Sequence, residues 1–176
     1  MKMKIVLIGY RASGKSTLAC ELSRRLGWPF LDIDRGIEHK YPGESLTELW
    51  LRVGDDLFRD IEAEVVVEMC SNDEHVISFG AGTLGRPENR EHACKEALVV
   101  YLEMKADDLW SRMQDDPKSA ATRSNLAGGG LQEVENLLSK RHPVYRKCAD
   151  LQVDGMLSTA EIADIVLEKY RTRTGT

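Results

Sequence analysis

Residues 5–17 read IVLIGYRASGKST, an apolar, mostly β-branched run that breaks into two glycines, a lysine and two hydroxyls. Gly9, Gly14, Lys15 and Ser16 satisfy the spacing G-x-x-x-x-G-K-[ST]. A chance match in a chain of this length should occur on the order of one time in a hundred at ordinary residue usage, and the context sharpens it. The match begins where a strand should end and closes where a helix should begin, as an anion cradle requires. Glycines let the backbone turn its N–H groups inward, and the helix N-terminus adds partial positive charge. The loop Gly9, Ala12, Ser13, Gly14, Lys15, Ser16 and Thr17 is therefore read as a cradle for a nucleoside triphosphate. In such a cradle the lysine reaches the β- and γ-phosphates and the serine hydroxyl ligates Mg²⁺.

Working outward, short apolar runs alternate with amphipathic ones. Strands are expected at about 4–8, 29–33, 75–79, 97–102 and 150–153. Leu18, Leu22 and Leu26 recur at helical spacing before Gly27, a natural helix stop. SLTELWLRVG and DLFRDIEAEVVVEMC read as two helices broken near Gly54, and AEIADIVLEKY as another. Strands separated by helices imply a parallel sheet covered on both faces. The expectation is one α/β domain over 1–176, a three-layer α/β/α build with a five-stranded parallel sheet. Motors, GTPases and small-molecule kinases share the phosphate loop; the chain has no N-K-x-D signature and lacks a motor's bulk, which favours the P-loop kinase type. Residues 114–130, QDDPKSAATRSNLAGGG, are small and polar and are read as a mobile lid over an active site.

Bulk properties bound the function. The 176 residues are enough for one sizeable core. A formal net charge of −5 argues against broad nucleic-acid binding. No run approaches the roughly 18 apolar residues that span a bilayer, and the apolar start is too short for a signal peptide. Cys20, Cys70, Cys94 and Cys148 form no C-x-x-C pair, so reduced thiols in a cytoplasmic protein are expected. His39, His75, His92 and His142 lack metal-ligand spacing. Trp28, Trp50 and Trp110 are read as packing residues, and the charged end KYRTRTGT as a solvated, fraying terminus.

Something must accept the phosphoryl group. In FLDIDRGIE, Asp32 and Asp34 stand two apart at the expected end of the second strand, so strand alternation puts both carboxylates on one face. One would hold Mg²⁺ and the other orient or deprotonate a hydroxyl; capping of a following helix is the plainer alternative. In GDDLFRDIEAE, Arg59 and Glu62 are neighbours on one helix face, which a surface ion pair would also explain.

The ordered set GYRASGKST, DID, GDDLFRDIE, GAG, TRSNL and KRHPVYRKCAD resembles the shikimate kinase family, over about residues 4–168. The resemblance implies ATP and Mg²⁺ with shikimate as acceptor, phosphorylated at its 3-hydroxyl, and a monomer without nucleic-acid or membrane partners. It implies that Asp34 holds the ring hydroxyls and serves as base, while Arg59 and Arg141 clamp the substrate carboxylate with Glu62 behind an arginine. Gly80, Ala81 and Gly82 would line the substrate, Arg123 would reach the phosphates from the lid, and Arg112 would lie against adenine. Lys15, Asp34 and Arg123 would be catalytic, with Ser16 and Asp32 at the metal.

The chain departs from the family pattern at four places. GAG stands for three glycines, so Ala81 strains the backbone if its φ is positive. RSNL stands for R-P-L-L, Asp55 for a common glutamate, and Ala12 for a frequent loop glycine. Two rivals stay open: a similar kinase for gluconate or a nucleoside monophosphate, and a nucleotide-binding regulatory module without turnover.

Overall fold

A computed structural model of the chain describes residues 3–115 and 129–175. Strand β1 (Lys4–Ile8) leads into helix α1 (Lys15–Leu26), and β2 (Phe30–Asp32) into α2 (Ile33–Lys40), α3 (Leu46–Val53) and α4 (Asp55–Cys70). Next come β3 (Val76–Ser78), a 3₁₀ turn (Thr83–Gly85), α5 (Pro87–Cys94), β4 (Ala97–Glu103) and α6 (Ala106–Asp115). The chain resumes with α7 (Leu131–Cys148), β5 (Leu151–Asp154) and α8 (Thr159–Thr174). The strands form one sheet in the order β2-β3-β1-β4-β5, and every pairing is parallel.

All five residues of β1 are buried, because the sheet is covered on both faces. Ile5 and Leu7 pack with Leu18 and Leu22 of α1 and Val166 of α8. Val6 and Ile8 point the other way, among Ile37, Leu49, Phe58 and Tyr145. The expected three-layer build is what the chain forms. Gly27, at φ 69°, ends α1 and donates its N–H to the Ser23 carbonyl. Gly54, at φ 83°, separates α3 from α4.

Three local expectations need correction. The second strand stops at Asp32 rather than running through Ile33, because the Asp32 side chain caps α2, accepting from the Arg35 N–H at 3.2 Å. The alternation argument for Asp32 and Asp34 therefore fails, since Asp34 lies in the first turn of a helix. The charged C-terminus is not frayed: α8 runs to Thr174, with Tyr170 edge-on to Trp28 at 5.3 Å and Arg173 paired with Asp150 at 2.7 Å. Of the expected lid, residues 114 and 115 complete α6 and Gly129 and Gly130 precede α7. Residues 116–128, Arg123 and Ser124 among them, lie outside the described residues.

Candidate active site

The loop between β1 and α1 sits at the carboxyl end of the central strand, where open parallel sheets bind ligands. Gly9 and Gly14 adopt φ of 146° and 96°, and Ala12 between them takes φ 63°. A side chain at Gly9 would press to 2.9 Å from the Leu102 carbonyl oxygen, so close backbone approach as well as φ demands glycine there. Lys15 is only 8% exposed, and its Nζ donates to the carbonyls of Gly9 (3.0 Å) and Tyr10 (2.8 Å). Burial lowers its pKa from 10.5 to about 8, against the opposing pull of Asp34 and Asp32. Both carboxylates thus act on the loop lysine, although the turn into α2 and not strand alternation brings them there. Ser16 and Thr17 are exposed in the first turn of α1.

The Gly80-Ala81-Gly82 segment after β3 forms the facing wall. A Cβ built on Gly80 would lie 2.9 Å from Asp34 Oδ1 and 2.9 Å from Thr83 Oγ1. A Cβ on Gly82 would lie 3.2 Å from Arg59 Nη1 and 3.6 Å from Arg141 Nη2. Arg59 comes from α4 and Arg141 from α7, yet the two guanidinium groups converge on one glycine. Ala81 is not at positive φ, so its methyl group strains nothing. Arg141 also lies over the Tyr10 ring, with Cζ 5.5 Å from the centroid. It therefore stands between the phosphate loop and this wall.

The Arg59–Glu62 pair is not a surface ornament. Glu62 is 1% exposed, its Oε2 accepts from Arg59 Nη1 at 2.8 Å, and its Oε1 accepts from the Thr83 hydroxyl at 2.9 Å. Both oxygens of a buried carboxylate are thereby occupied, which is what burial requires. Asn89 extends the chain of contacts by donating to the Thr83 carbonyl at 2.8 Å. Asp55 accepts from the Trp50 indole N–H at 3.0 Å and lies 3.6 Å from Arg59. Arg112 donates to the Gly155 carbonyl at 3.0 Å, and its Nη1 lies 3.8 Å from a Cβ built on Gly14, which sets it beside the phosphate loop.

Sequence reasoning missed Thr83, Asn89 and Tyr145. The Tyr145 hydroxyl donates to the Ala81 carbonyl at 2.5 Å and also hydrogen-bonds Arg141. Nothing in a polar run such as RPENREH marks Asn89 as buried. Tyr145, within the quoted KRHPVYRKCAD, was the more findable of the three.

A glycine-built loop at the carboxyl end of the central strand, followed by a buried lysine and a helix, defines a P-loop α/β domain. The chain matches the family described as "Shikimate kinase" over residues 11–171. It is 36% identical over 151 residues to a shikimate kinase of Rhodopirellula baltica, covering 85% of this chain and 80% of that one. It is 33% identical over 181 residues to one from Dehalococcoides mccartyi, covering 99% and 98%. The solved shikimate kinase from Acinetobacter baumannii in complex with shikimate superimposes with a TM-score of 0.85 at 25% identity, over 99% of this chain and 94% of that one. The chain belongs to the shikimate kinase family.

Proposed function

We propose that this protein transfers the γ-phosphoryl group of ATP to the 3-hydroxyl of shikimate, giving ADP and shikimate 3-phosphate. The observation that carries the reading is the convergence of Arg59 and Arg141 on Gly82, two residues from the glycine that Asp34 abuts. Two planar guanidinium groups suit a carboxylate, and a neighbouring carboxylate suits a hydroxyl. The acceptor is thus a hydroxy acid.

In this reading Gly9, Ala12, Ser13, Gly14, Lys15, Ser16 and Thr17 cradle the phosphates, with Arg112 beside them. Arg59 and Arg141 hold the acceptor carboxylate, Glu62 orients Arg59, and Gly80, Ala81 and Gly82 shape the wall. Asp34 aims the hydroxyl and takes its proton as the oxygen bonds to the γ-phosphorus and the bond to the β–γ bridging oxygen breaks. Lys15 neutralises the phosphate oxygens, and Arg123 is assigned the same task. Phosphoryl transfer needs little beyond such positioning and charge stabilisation.

Oxygen donors beside the lysine, the Ser16 hydroxyl and the Asp32 carboxylate, suit Mg²⁺, which usually takes one or two protein oxygens together with substrate phosphates. Among the described residues no group of three His, Cys, Asp or Glu side chains could cage a metal by itself. When bound, Mg²⁺ would supply charge neutralisation at the phosphates. Among the described residues no helix is long and apolar enough to cross a membrane. We place the protein in the cytoplasm as a monomer.

A coupled ADP-release assay with shikimate, gluconate and AMP in parallel tests the reading. Turnover with shikimate is expected. Turnover with gluconate or AMP alone would overturn the acceptor assignment, and nucleotide binding without turnover would leave a regulatory module.

A further inference from the structure

Helices α5 and α7 end on cysteines, Cys94 and Cys148, that are 54 residues apart in sequence. The folded chain brings them together. The Cys94 thiol donates to the Cys148 backbone carbonyl with Sγ 3.8 Å from the oxygen, so the two cysteines are direct neighbours. Cys94 is exposed and Cys148 half-buried, so small reagents reach the pair. The other two cysteines differ: Cys70 is buried, with its thiol pushed up to about 11 by burial, and Cys20 stands on α1 on the other side of the sheet.

We propose that Cys94 and Cys148 form a reversible redox site, in which a low-molecular-weight disulfide oxidises the two thiols to an intramolecular disulfide. The Cys148 thiolate attacks one sulfur of the small disulfide, forming a mixed disulfide and releasing one thiolate. The Cys94 sulfur then loses its proton and attacks Cys148 Sγ, forming the Cys94–Cys148 bond and releasing the second thiolate. Two protein thiols and one small disulfide become one protein disulfide and two small thiols.

Cys148 is the fitter first nucleophile. Its thiol is held below the ordinary range, chiefly by the neighbouring Cys94 thiol and then by the charges of Arg90 and Lys147. The attack of Cys94 on the mixed disulfide is intramolecular, across a contact the fold already makes.

The position of the pair gives the bond consequence. From α5, Asn89 donates to the Thr83 carbonyl and Arg90 Nε to the Leu84 carbonyl, both at 2.8 Å, while Tyr145 of α7 holds Ala81. The cross-link would join the far ends of the two helices that grip residues 81–84. The redox chemistry itself does not depend on which acceptor the kinase uses.

The test is intact mass and non-reducing peptide mapping of the full-length protein after incubation with oxidised glutathione. Wild type should lose two hydrogen atoms, yield a Cys94–Cys148 linked peptide, and regain them with dithiothreitol. Cys20→Ser should form the same Cys94–Cys148 linked peptide, while any glutathione adduct that wild type carries on the exposed Cys20 should be missing. Cys94→Ser should stop at a glutathione adduct on Cys148, and Cys148→Ser should yield no internal disulfide. Circular dichroism of each variant verifies folding before oxidation. An unchanged wild-type mass, or a glutathione adduct on Cys148 that persists with Cys94 present, would overturn the proposal.

Discussion

The Tyr145 hydroxyl donates a 2.5 Å hydrogen bond to the Ala81 carbonyl oxygen, across 64 residues of sequence. It ties the helix that carries Arg141 to the tripeptide against which Arg59 and Arg141 meet. Burial pushes the Tyr145 pKa well above its ordinary value of 10, so the hydroxyl stays a neutral donor through the working range. Tyr145→Phe removes the bond and keeps the ring. The expected cost is about 1 kcal/mol, read as a lower Tm and a roughly fivefold higher KM for shikimate. Unchanged values on both counts would show that the bond positions nothing.

Arg141 lies between the Tyr10 ring and Gly82, so its removal should be felt by the acceptor far more than by the nucleotide. Arg141→Ala should weaken shikimate binding by about 2–4 kcal/mol, the range for losing a charge-assisted bidentate contact, with ATP affinity little changed. Isothermal titration with each ligand separately measures the split. The reverse pattern would move Arg141 out of the acceptor pocket.

The two glycines of the wall should fail differently. A methyl group at Gly80 would sit 2.9 Å from Asp34 Oδ1, so Gly80→Ala pushes the carboxylate that aims the hydroxyl, and kcat should fall. At Gly82 the nearest atoms are guanidinium nitrogens at 3.2–3.6 Å, so Gly82→Ala should chiefly raise KM for shikimate. An effect of ten- to a hundredfold on kcat is expected for Gly80→Ala, since small misplacements of a reacting group are costly. Steady-state kinetics on the pair checks the contrast.

Ala12 occupies the left-handed region at φ 63°, where a side chain costs roughly 1–2 kcal/mol. Ala12→Gly relieves that strain but loosens the unfolded chain by about 0.4–1 kcal/mol. The net change should therefore lie between about 0 and a gain of about 1.6 kcal/mol. Ala12→Val, β-branched at the same φ, should lose about 2 kcal/mol or more. Urea titration of the three proteins orders them, and a valine variant as stable as wild type would contradict the loop geometry.

Lys15 links the loop to pH. Its folded pKa is lowered to about 8 while the unfolded value is near 10.5, so between these pH values the unfolded chain binds more protons. Stability from this group accordingly rises as pH climbs from about 8 to 10.5, and its burial is a penalty below that window. Nucleotide affinity should move the other way. Anionic phosphates favour the protonated lysine, so ATP binding should weaken above pH about 8, by up to roughly tenfold per pH unit. Titration across pH 7–9.5 measures it, and Lys15→Ala should abolish both turnover and this slope.

The sheet, its two covered faces and the phosphate loop were readable because their signals are local. Gly9 and Gly14 mark backbone conformations that few other residues adopt, and the leucines of α1 repeat within one helix. Boundaries were less secure. The apolar run FLDI reads on into a strand, yet Asp32 Oδ1 accepts the Arg35 N–H and the chain turns into α2. The charged C-terminus reads as solvated because its anchors, Trp28 and Asp150, come from elsewhere in the chain.

By itself the sequence determined a nucleotide loop between strand and helix, the alternation that builds a parallel sheet, and the residue types that would grip a carboxylate. Only the tertiary structure decided that Arg59 and Arg141 meet at Gly82, that the charge of Asp34 acts on Lys15 from a helix, and that Glu62, Thr83 and Asn89 are buried. The physical reason is the cost of burying a polar group. A carboxylate or amide can leave water only where the fold brings it a partner, and for Glu62 and Thr83 one of those partners lies 21 residues away. No window of local sequence contains that information.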